Sequence, residues 1–230
     1  MIFLSHWFGR GAKLDSALQD RVAAWKALPP TAPQETFAAI RWVVVDTETG
    51  GLDARRDRLI AIGATTLAGL CIPMADAFDV VLRQTMPSSC ENIVVHGIGG
   101  AAQRGGEGAP SALVRFLEYC GKSPLVAYHA PFDEAFVKRA MREHLGFDPH
   151  LTWLDLAALL PLLFDGPAHA SLDHWLERFG IASPGRHTAL GDAFATAQLA
   201  QIMFRRAQAR GTWNYDGLAS MATHRRWLRL

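Results

Sequence analysis

Residues 42–52 read WVVVDTETGGL. The apolar, largely β-branched run from Trp42 to Val45 predicts a central strand that is covered on both faces. Asp46 and Glu48 extend this run, and their two-residue spacing places both carboxylates on one face of the strand. Such a pair needs a cation or raised pKa values, because buried carboxylates repel each other and are costly to desolvate. The alternative is that both acids lie beyond the strand end, in solvent.

The elements predicted around this strand indicate an α/β fold with a mixed central β-sheet flanked by helices. Strand patterns cover residues 59–67, 78–82 and 124–128, and helical patterns cover residues 110–120, 132–140, 154–164, 171–179 and 189–210. Residues 92–95 form a short apolar segment, and residues 97–108 are rich in glycine. A dinucleotide-binding site is excluded in this glycine-rich segment because Gly105, Gly106 and Gly108 would interrupt the long helix that it needs.

The chain is predicted to have three parts. Residues 1–40 are an N-terminal helical extension, residues 41–210 the main domain, and residues 211–230 a C-terminal tail. In the extension, apolar residues at three- and four-residue steps predict an amphipathic helix: Leu14, Leu18, Val22, Trp25 and Leu28. We expect this helix to dock on the main domain, with partner binding as the alternative. The tail mixes aromatic and arginine residues, and we expect it to dock with a basic edge, with a nucleic-acid or partner contact as the alternative.

Composition excludes several classes of protein. The 230 residues include 23 Lys and Arg against 22 Asp and Glu, a net charge of +1, and 50% of them are hydrophobic. These values exclude a disordered chain and a histone-like protein with a basic surface. The 3 cysteines cannot form a fully paired disulfide framework and lack metal-ligand spacing, which predicts a reducing, cytoplasmic location. No apolar run is long enough to span a membrane, so no membrane association is expected.

Further acidic residues stand at the starts of two predicted helices. Asp133 follows the strand at 124–128, where the helix dipole alone would also favour an acid. His187 and Asp192 are five residues apart at the start of the long helix at 189–210, and the face of that helix below Asp192 is apolar. His150 and Asp155 have the same spacing, so position alone does not choose between the two pairs.

These motifs together resemble those of a known family. Asp46-x-Glu48 followed by Thr-x-Gly-Leu, Asp133 after a phenylalanine, and His187 five residues before Asp192 resemble the DEDD family of 3′–5′ exonucleases. The similarity is greatest to the branch of the epsilon proofreading subunit of DNA polymerase III. It covers about residues 41–205 and includes the segments 95–98 and 171–181. A histidine in the last motif is typical of the DEDDh subgroup, and the resemblance implies an RNase H-like exonuclease fold.

The resemblance implies hydrolysis of the 3′-terminal phosphodiester with release of a nucleoside 5′-monophosphate. Four acids would hold two divalent cations, Mg²⁺ or Mn²⁺, since hard cations prefer carboxylate oxygen ligands: Asp46, Glu48, Asp133 and Asp192. His187 would act as the general base for the attacking water, because histidine exchanges protons near neutral pH. These five residues are the predicted catalytic set.

Six further residues are predicted to contact the substrate: Thr47, Thr49, Gly50, His96, His129 and Phe132. The backbone at the first three is expected to approach the terminal nucleotide, since glycine permits close contact. His96 and Phe132 are candidates for base or sugar contact, with core packing as the alternative for Phe132. Residues 128–129 are Tyr-His where the family usually has His-Asn, and this departure bears on substrate preference more than on metal binding.

The expected substrate is a single-stranded DNA 3′ end. An RNA-directed exoribonuclease is the alternative, because the contact that distinguishes the two sugars is not visible in a sequence. A non-catalytic nucleic-acid-binding or polymerase-accessory module is a second alternative, motivated by the altered Tyr128-His129 pair. A DNA polymerase or a repair protein is the expected kind of protein partner, and a stand-alone enzyme fits the sequence equally well.

Overall fold

A five-stranded mixed sheet organises the chain in the computed structural model. The structure describes residues 14–32, 34–183 and 185–227, so the ends of the predicted extension and tail lie outside the described residues. Along the chain the elements are α1 Ser16–Lys26, β1 Trp42–Thr49, β2 Leu59–Leu67, β3 Ala77–Val81, α2 Cys90–His96, α3 Gly100–Gly105, α4 Ala109–Cys120, β4 Leu125–Ala127, α5 Ala130–Leu145, β5 Trp153–Asp155, α6 Leu156–Phe164, α7 Leu172–Arg178, α8 Ala189–Ala209 and α9 Tyr215–Trp227.

Strand β1 lies at the centre of the sheet, whose order is β3-β2-β1-β4-β5. It pairs with β2 in antiparallel fashion and with β4 in parallel fashion, and β5 is parallel to β4. The predicted mixed α/β sheet is therefore confirmed. Because β1, β4 and β5 run in the same direction, their carboxyl ends meet at one edge of the sheet, which we call the carboxyl edge.

Helices cover both faces of the sheet. Trp42 and Val44 point into a core shared with α6, α7 and α8. Val43 and Val45 point into the opposite core, which is shared with α1, α4 and α5. All four side chains are 0% exposed, as expected for a strand buried on both faces.

Strand β5 corrects the predicted helix at residues 154–164. The helix begins only at Leu156, and Trp153–Asp155 form an edge strand in which Leu154 pairs with Val126 of β4. Three residues are too few to show a strand periodicity, and the apolar Leu154 also fits the helical pattern that follows.

The segment between β3 and α4 is more helical than its composition indicates. The apolar segment at 92–95 lies in α2, which is capped by the side chain of Ser89. Val94 and Val95 are 84% and 61% exposed, so their apolar character does not reflect burial. The glycine-rich stretch contains only the six-residue α3.

Both terminal helices pack on the main domain. The indole N–H of Trp25 in α1 donates to the carbonyl of Gly121 at 2.7 Å, and Trp25 is buried. In α9, Leu218 is buried, and the ring of Tyr215 lies 6.4 Å from that of Trp42. The docking predicted for the extension is thus observed for α1, whereas the tail's arginines are outside the side chains that the structure describes.

The longest helix, α8, has 21 residues and carries charged groups at both ends. Within the described ranges, no helix has both the length and the apolar character needed to cross a membrane.

Candidate active site

Asp46 and Glu48 lie in β1 near the carboxyl edge of the sheet. They continue the face of Trp42 and Val44, which is the face covered by α8. Thr47, between them, points to the other face. The strand therefore directs two carboxylates toward one side and a hydroxyl toward the other.

Asp133 reaches this edge from α5, which starts directly after β4. It lies in the first turn of the helix and is buried. The hydroxyl of Thr47 donates to its Oδ1 at 2.8 Å. This hydrogen bond connects the first turn of α5 to β1.

Asp192 reaches the same edge from the first turn of α8. The helix comes very close to the sheet at Gly63, the residue of β2 that pairs with Asp46. A Cβ at Gly63 would lie 2.1 Å from the backbone of Ala189 and Leu190. Only glycine leaves room for this approach, which brings Asp192 over the β1 carboxylates.

Burial raises the pKa values of Asp46, Glu48 and Asp133, and repulsion from neighbouring carboxylates adds to the effect at Asp46 and Glu48. Burial, followed by repulsion from Asp133, Asp192 and Glu48, raises the pKa of Asp46 well above its usual range. Burial and then Asp192 raise the pKa of Glu48 to about 7. Burial also raises the pKa of Asp133 to about 7, although the Thr47 hydrogen bond acts in the opposite direction. The site therefore holds more negative charge than it can keep ionised at neutral pH without a cation.

A cationic side chain already lies at this site. The guanidinium of Arg186 contacts the Asp192 carboxylate through Nη1 and donates to Asp173 through Nε at 2.8 Å. Among the described residues, no three His, Cys, Asp or Glu side chains converge closely enough to hold one metal ion. In this structure Asp133 is hydrogen-bonded to Thr47, and Asp192 is paired with Arg186.

His187 lies beside Asp192, in the loop that leads into α8. Its backbone N–H donates to Asp192 Oδ2 at 3.2 Å, its φ is +63°, and its side chain is exposed. The backbone of His187 thus contacts the acidic cluster, and its imidazole is exposed to solvent.

The competing pair His150 and Asp155 has a different role. Oδ1 of Asp155 accepts from the backbone N–H groups of His129, Ala130 and Ala157 at 3.0, 3.3 and 3.0 Å, so it joins β5 to the starts of α5 and α6. The side chain of His150 is exposed and lies near Asp148. Of the two pairs, only His187 and Asp192 adjoin the acids of β1.

The predicted substrate-contact residues fall into two groups. Thr49 and Gly50 follow the β1 acids directly, and His129 is exposed just before α5. By contrast, His96 is buried and both its ring nitrogens are engaged, Nε2 with the Ser88 hydroxyl at 3.2 Å and Nδ1 with the N–H of Ile98 at 3.0 Å. Phe132 is half-buried, with its ring 4.8 Å from that of Phe136.

Of the two residues at 128–129 that depart from the family pattern, one lies in the core and the other on the surface. Tyr128 is buried in the core beneath α6 and α7, and its hydroxyl contacts the carbonyl of Ala170. His129 adopts a left-handed conformation with φ +63° and is exposed. The tyrosine at 128 thus belongs to the core, and the imidazole at 129 is exposed at the start of α5.

Sequence reasoning missed two residues of this site. Gly63 lies inside a strand pattern, where a glycine signals a close backbone approach, and that signal was available. Arg186 and its second partner Asp173 carried no signal, because an arginine next to a predicted motif is common and the distance between the two is visible only in the fold.

The sequence of this chain is similar to those of known proteins. A family model described as "Exonuclease" matches residues 43–200. The chain is 32% identical over 197 residues to a DNA polymerase III subunit epsilon-like protein of Rhodobacter capsulatus, covering 83% of this chain and 27% of that protein. It is 30% identical over 164 residues to a DNA polymerase III PolC-type of Thermotoga maritima, covering 71% of this chain and 12% of that protein.

The fold itself is similar to solved structures. E. coli exonuclease I in complex with a dT13 oligonucleotide matches with a TM-score of 0.64 at 17% sequence identity, covering 74% of this chain and 42% of that one. The chain therefore spans less than half the length of these proteins, and the family match at residues 43–200 contains the sheet and the acidic cluster.

Proposed function

The chain belongs to the exonuclease family, and from this membership we propose that it is a 3′–5′ exonuclease acting on single-stranded or frayed DNA 3′ ends. The product would be a nucleoside 5′-monophosphate. The observation that carries the proposal is that Asp46, Glu48, Asp133 and Asp192, from three separate elements, all lie at the carboxyl edge of the sheet.

The donor chemistry of this cluster fits divalent cations. All four ligands are carboxylates, which suit Mg²⁺ or Mn²⁺ better than zinc. Three of them have pKa values raised by burial, and repulsion within the cluster raises those of Asp46 and Glu48 further, so a dication would relieve that repulsion. Two such cations, when bound, would activate a water and stabilise the leaving oxygen.

The protein's own groups supply the remaining functions. His187, exposed beside Asp192, would accept a proton from the attacking water. Thr47 keeps Asp133 oriented toward β1 through its 2.8 Å hydrogen bond. Asn92 of α2 donates to the carbonyl of Gly50, which holds the loop after β1 against α2.

Apolar side chains next to this loop are suited to bases. Leu52, Val94 and Val95 are 87%, 84% and 61% exposed although they are apolar. Unpaired bases present apolar faces, and a protein that binds single strands without reading sequence can pack against them. We assign these three residues, with Thr49 and Gly50, to the terminal nucleotides.

The relatives support the proposed substrate and partner. The solved neighbour holds a dT13 oligonucleotide, which supports a single-stranded DNA substrate. The relatives named after DNA polymerase III support a DNA polymerase as partner. This partnership is part of the proposal, because the chain spans 27% and 12% of those two proteins.

The function is tested with DNA and RNA oligomers labelled at either end. With Mg²⁺ or Mn²⁺, 5′-labelled DNA should shorten from its 3′ end one nucleotide at a time, and 3′-labelled DNA should release a labelled mononucleotide at once. EDTA should stop both reactions. Asp46→Asn should lower the rate at least about 100-fold, because it removes a ligand charge. Asp20→Asn, an exposed acid in α1, is the matched control and should keep the wild-type rate.

Three results would contradict the proposal. Faster degradation of RNA than of DNA would assign the enzyme to RNA. Binding of oligomers without any product would indicate an accessory module. Full activity of Asp46→Asn would remove that carboxylate from the metal site.

A further inference from the structure

A cavity of 320 Å³ lies beside the candidate active site, between the loop after β1, the end of β3 and helix α5. We call it the arginine cavity. Its charged lining residues are Arg56, Arg58, Arg83, Arg139, Asp57 and Glu143. Four guanidinium groups face two carboxylates, so the lining carries a net positive charge.

Two of these arginines are not neutralised. Arg139 pairs with Glu143 at 2.6 Å, and Arg56 lies 3.7 Å from Asp53. Arg58 donates to the carbonyl of Met86 at 2.8 Å, and Arg83 to that of Gly106 at 3.0 Å. In the part of the chain that the structure describes, neither Arg58 nor Arg83 forms an ion pair, so each keeps free N–H donors and a full charge.

The arginine cavity is joined to the carboxyl edge of the sheet. The N–H of Gly50, two residues after Glu48, donates to the carbonyl of Arg58 at 2.8 Å. A second cavity, of 160 Å³, is lined by Gly50 on one side and by Arg56 and Arg58 on the other. A chain leaving the acidic cluster past Gly50 would therefore meet these two arginines first.

Helix α5 gives the spacing between the two sites. Asp133 belongs to the acidic cluster, and Arg139 lines the arginine cavity six residues later on the same helix. At 1.5 Å per residue the axial separation is about 9 Å. Because six residues also turn the helix by about 240°, Asp133 and Arg139 lie on different faces, and this axial distance, about three stacked nucleotides of about 3.4 Å each, is a lower bound on the separation of the two sites.

We propose that the arginine cavity binds backbone phosphates of the strand being degraded, upstream of its 3′-terminal nucleotide. The inference rests on the function proposed above and adds a second contact to it. Guanidinium groups match phosphate geometry through paired N–H donors, and contacts to phosphate carry no base information. The cavity would thus hold any sequence in place while the terminal nucleotide is removed.

The test is the double variant Arg58→Gln/Arg83→Gln, compared with Arg205→Gln/Arg210→Gln at the far end of α8. Binding is measured by fluorescence anisotropy in the Asp46→Asn background, with 5′-labelled oligo-dT of 2, 4, 8 and 12 nucleotides. The cavity variant should bind the 8-mer and 12-mer roughly tenfold more weakly, and its log Kd–log salt slope should fall by about 1.4, since a single strand contributes about 0.7 per phosphate contact. The dinucleotide should bind as before, and the control pair should change nothing.

A minimal substrate separates this inference from the proposed function. Thymidine 5′-monophosphate p-nitrophenyl ester has no upstream phosphate, so enzymes with and without the cavity arginines, both with Asp46 intact, should hydrolyse it equally. If the wild type hydrolyses neither ester nor oligomer, the proposed function fails, yet length-dependent weakening of binding would still support the cavity.

Two outcomes overturn the cavity assignment. One is equal weakening of binding at all oligomer lengths, and the other is no weakening at any length.

Discussion

Arg186 is paired with Asp192, so a cation from the chain itself contacts one of the four carboxylates assigned to the metals. The same guanidinium bonds Asp173 at 2.8 Å through Nε, so that it bridges two acids. Asp192 is buried, whereas Asp173 is exposed. Divalent cations bound at Asp192 would therefore displace the arginine toward Asp173.

Replacing Arg186 with glutamine should strengthen metal binding. The variant removes a charge that competes for Asp192, so Mn²⁺ should bind the EDTA-stripped protein several-fold to about tenfold more tightly, as measured by isothermal titration calorimetry. Asp173→Asn should act in the opposite direction, because Arg186 then loses its other partner and stays on Asp192. Weaker Mn²⁺ binding by Arg186→Gln would instead make the arginine a support of the metal site.

Stability of the metal-free protein should fall as the pH rises toward neutrality. The pKa of Glu48 is raised from 4.5 to about 7 and that of Asp133 from 3.8 to about 7. Between these values the folded state binds protons that the unfolded chain has lost, so this contribution to stability is complete below pH 4 and disappears as the pH passes through 7. The melting temperature in EDTA should therefore decrease between pH 5 and pH 8.

Metal should reverse this trend. Because the ligands must be deprotonated, Mn²⁺ should stabilise the protein more at pH 8 than at pH 5. At about a hundredfold excess over Kd, the increase in Tm at pH 8 should be about 5–10 °C. In Glu48→Gln, the melting temperature in EDTA should vary less with pH, and Mn²⁺ should raise it less. If its pH dependence in EDTA were unchanged, the destabilisation at high pH and the stabilisation by Mn²⁺ would not both arise from Glu48.

The order of strands and helices could be predicted from the sequence because buried apolar residues recur with the period of the element that they belong to. The run from Trp42 to Val45 marks the central strand, and the spacing of Asp46 and Glu48 places them on one face. An element as short as the three-residue β5 shows no such periodicity, so the sequence predicts a helix from residue 154 where the structure has a strand.

The residues of the site were predicted from the order of the motifs along the chain. The contacts among their side chains could not be predicted in that way. The choice between His187–Asp192 and His150–Asp155 required the resemblance, since both pairs precede a helix. The bridge from Arg186 to Asp173 joins a loop to a different helix, and no local pattern encodes a contact between side chains 13 residues apart.

Gly63→Ala should separate α8 from the sheet. The added methyl group would lie 2.1 Å from the backbone of Ala189, and backbone cannot move aside as a flexible side chain can. We expect a loss of at least about 3 kcal/mol in urea denaturation, together with loss of exonuclease activity. Gly105→Ala, where an added Cβ meets nothing within 4 Å, is the control and should be neutral or slightly stabilising. A stable, active Gly63→Ala protein would contradict the close approach.

Trp25→Ala should destabilise the protein without changing its catalytic rate. Trp25 is 4% exposed, donates to the carbonyl of Gly121, and lies under the ammonium of Lys122 at 3.2 Å from the ring centre. Truncation of a buried tryptophan costs about 3–5 kcal/mol, which urea denaturation would measure. Gly121 precedes β4, at the end of the sheet opposite the carboxylates, so activity per folded molecule should be retained. Trp213→Ala, at a 54% exposed side chain, should have little effect on stability.

His187→Asn should remove the general base and leave the loop intact. The residue has φ +63°, a left-handed conformation that asparagine tolerates better than alanine does. Since an amide does not accept a proton near neutral pH, kcat should fall by about 10²–10⁴. The affinity for Mn²⁺ should be unchanged, because the ligands are the four carboxylates.

His150→Asn is a closely matched control, since His150 is exposed, has φ +49° and also precedes an aspartate by five residues. Equal losses in the two variants, or none in His187→Asn, would exclude His187 as the base, because only one of the two imidazoles adjoins the acids of β1.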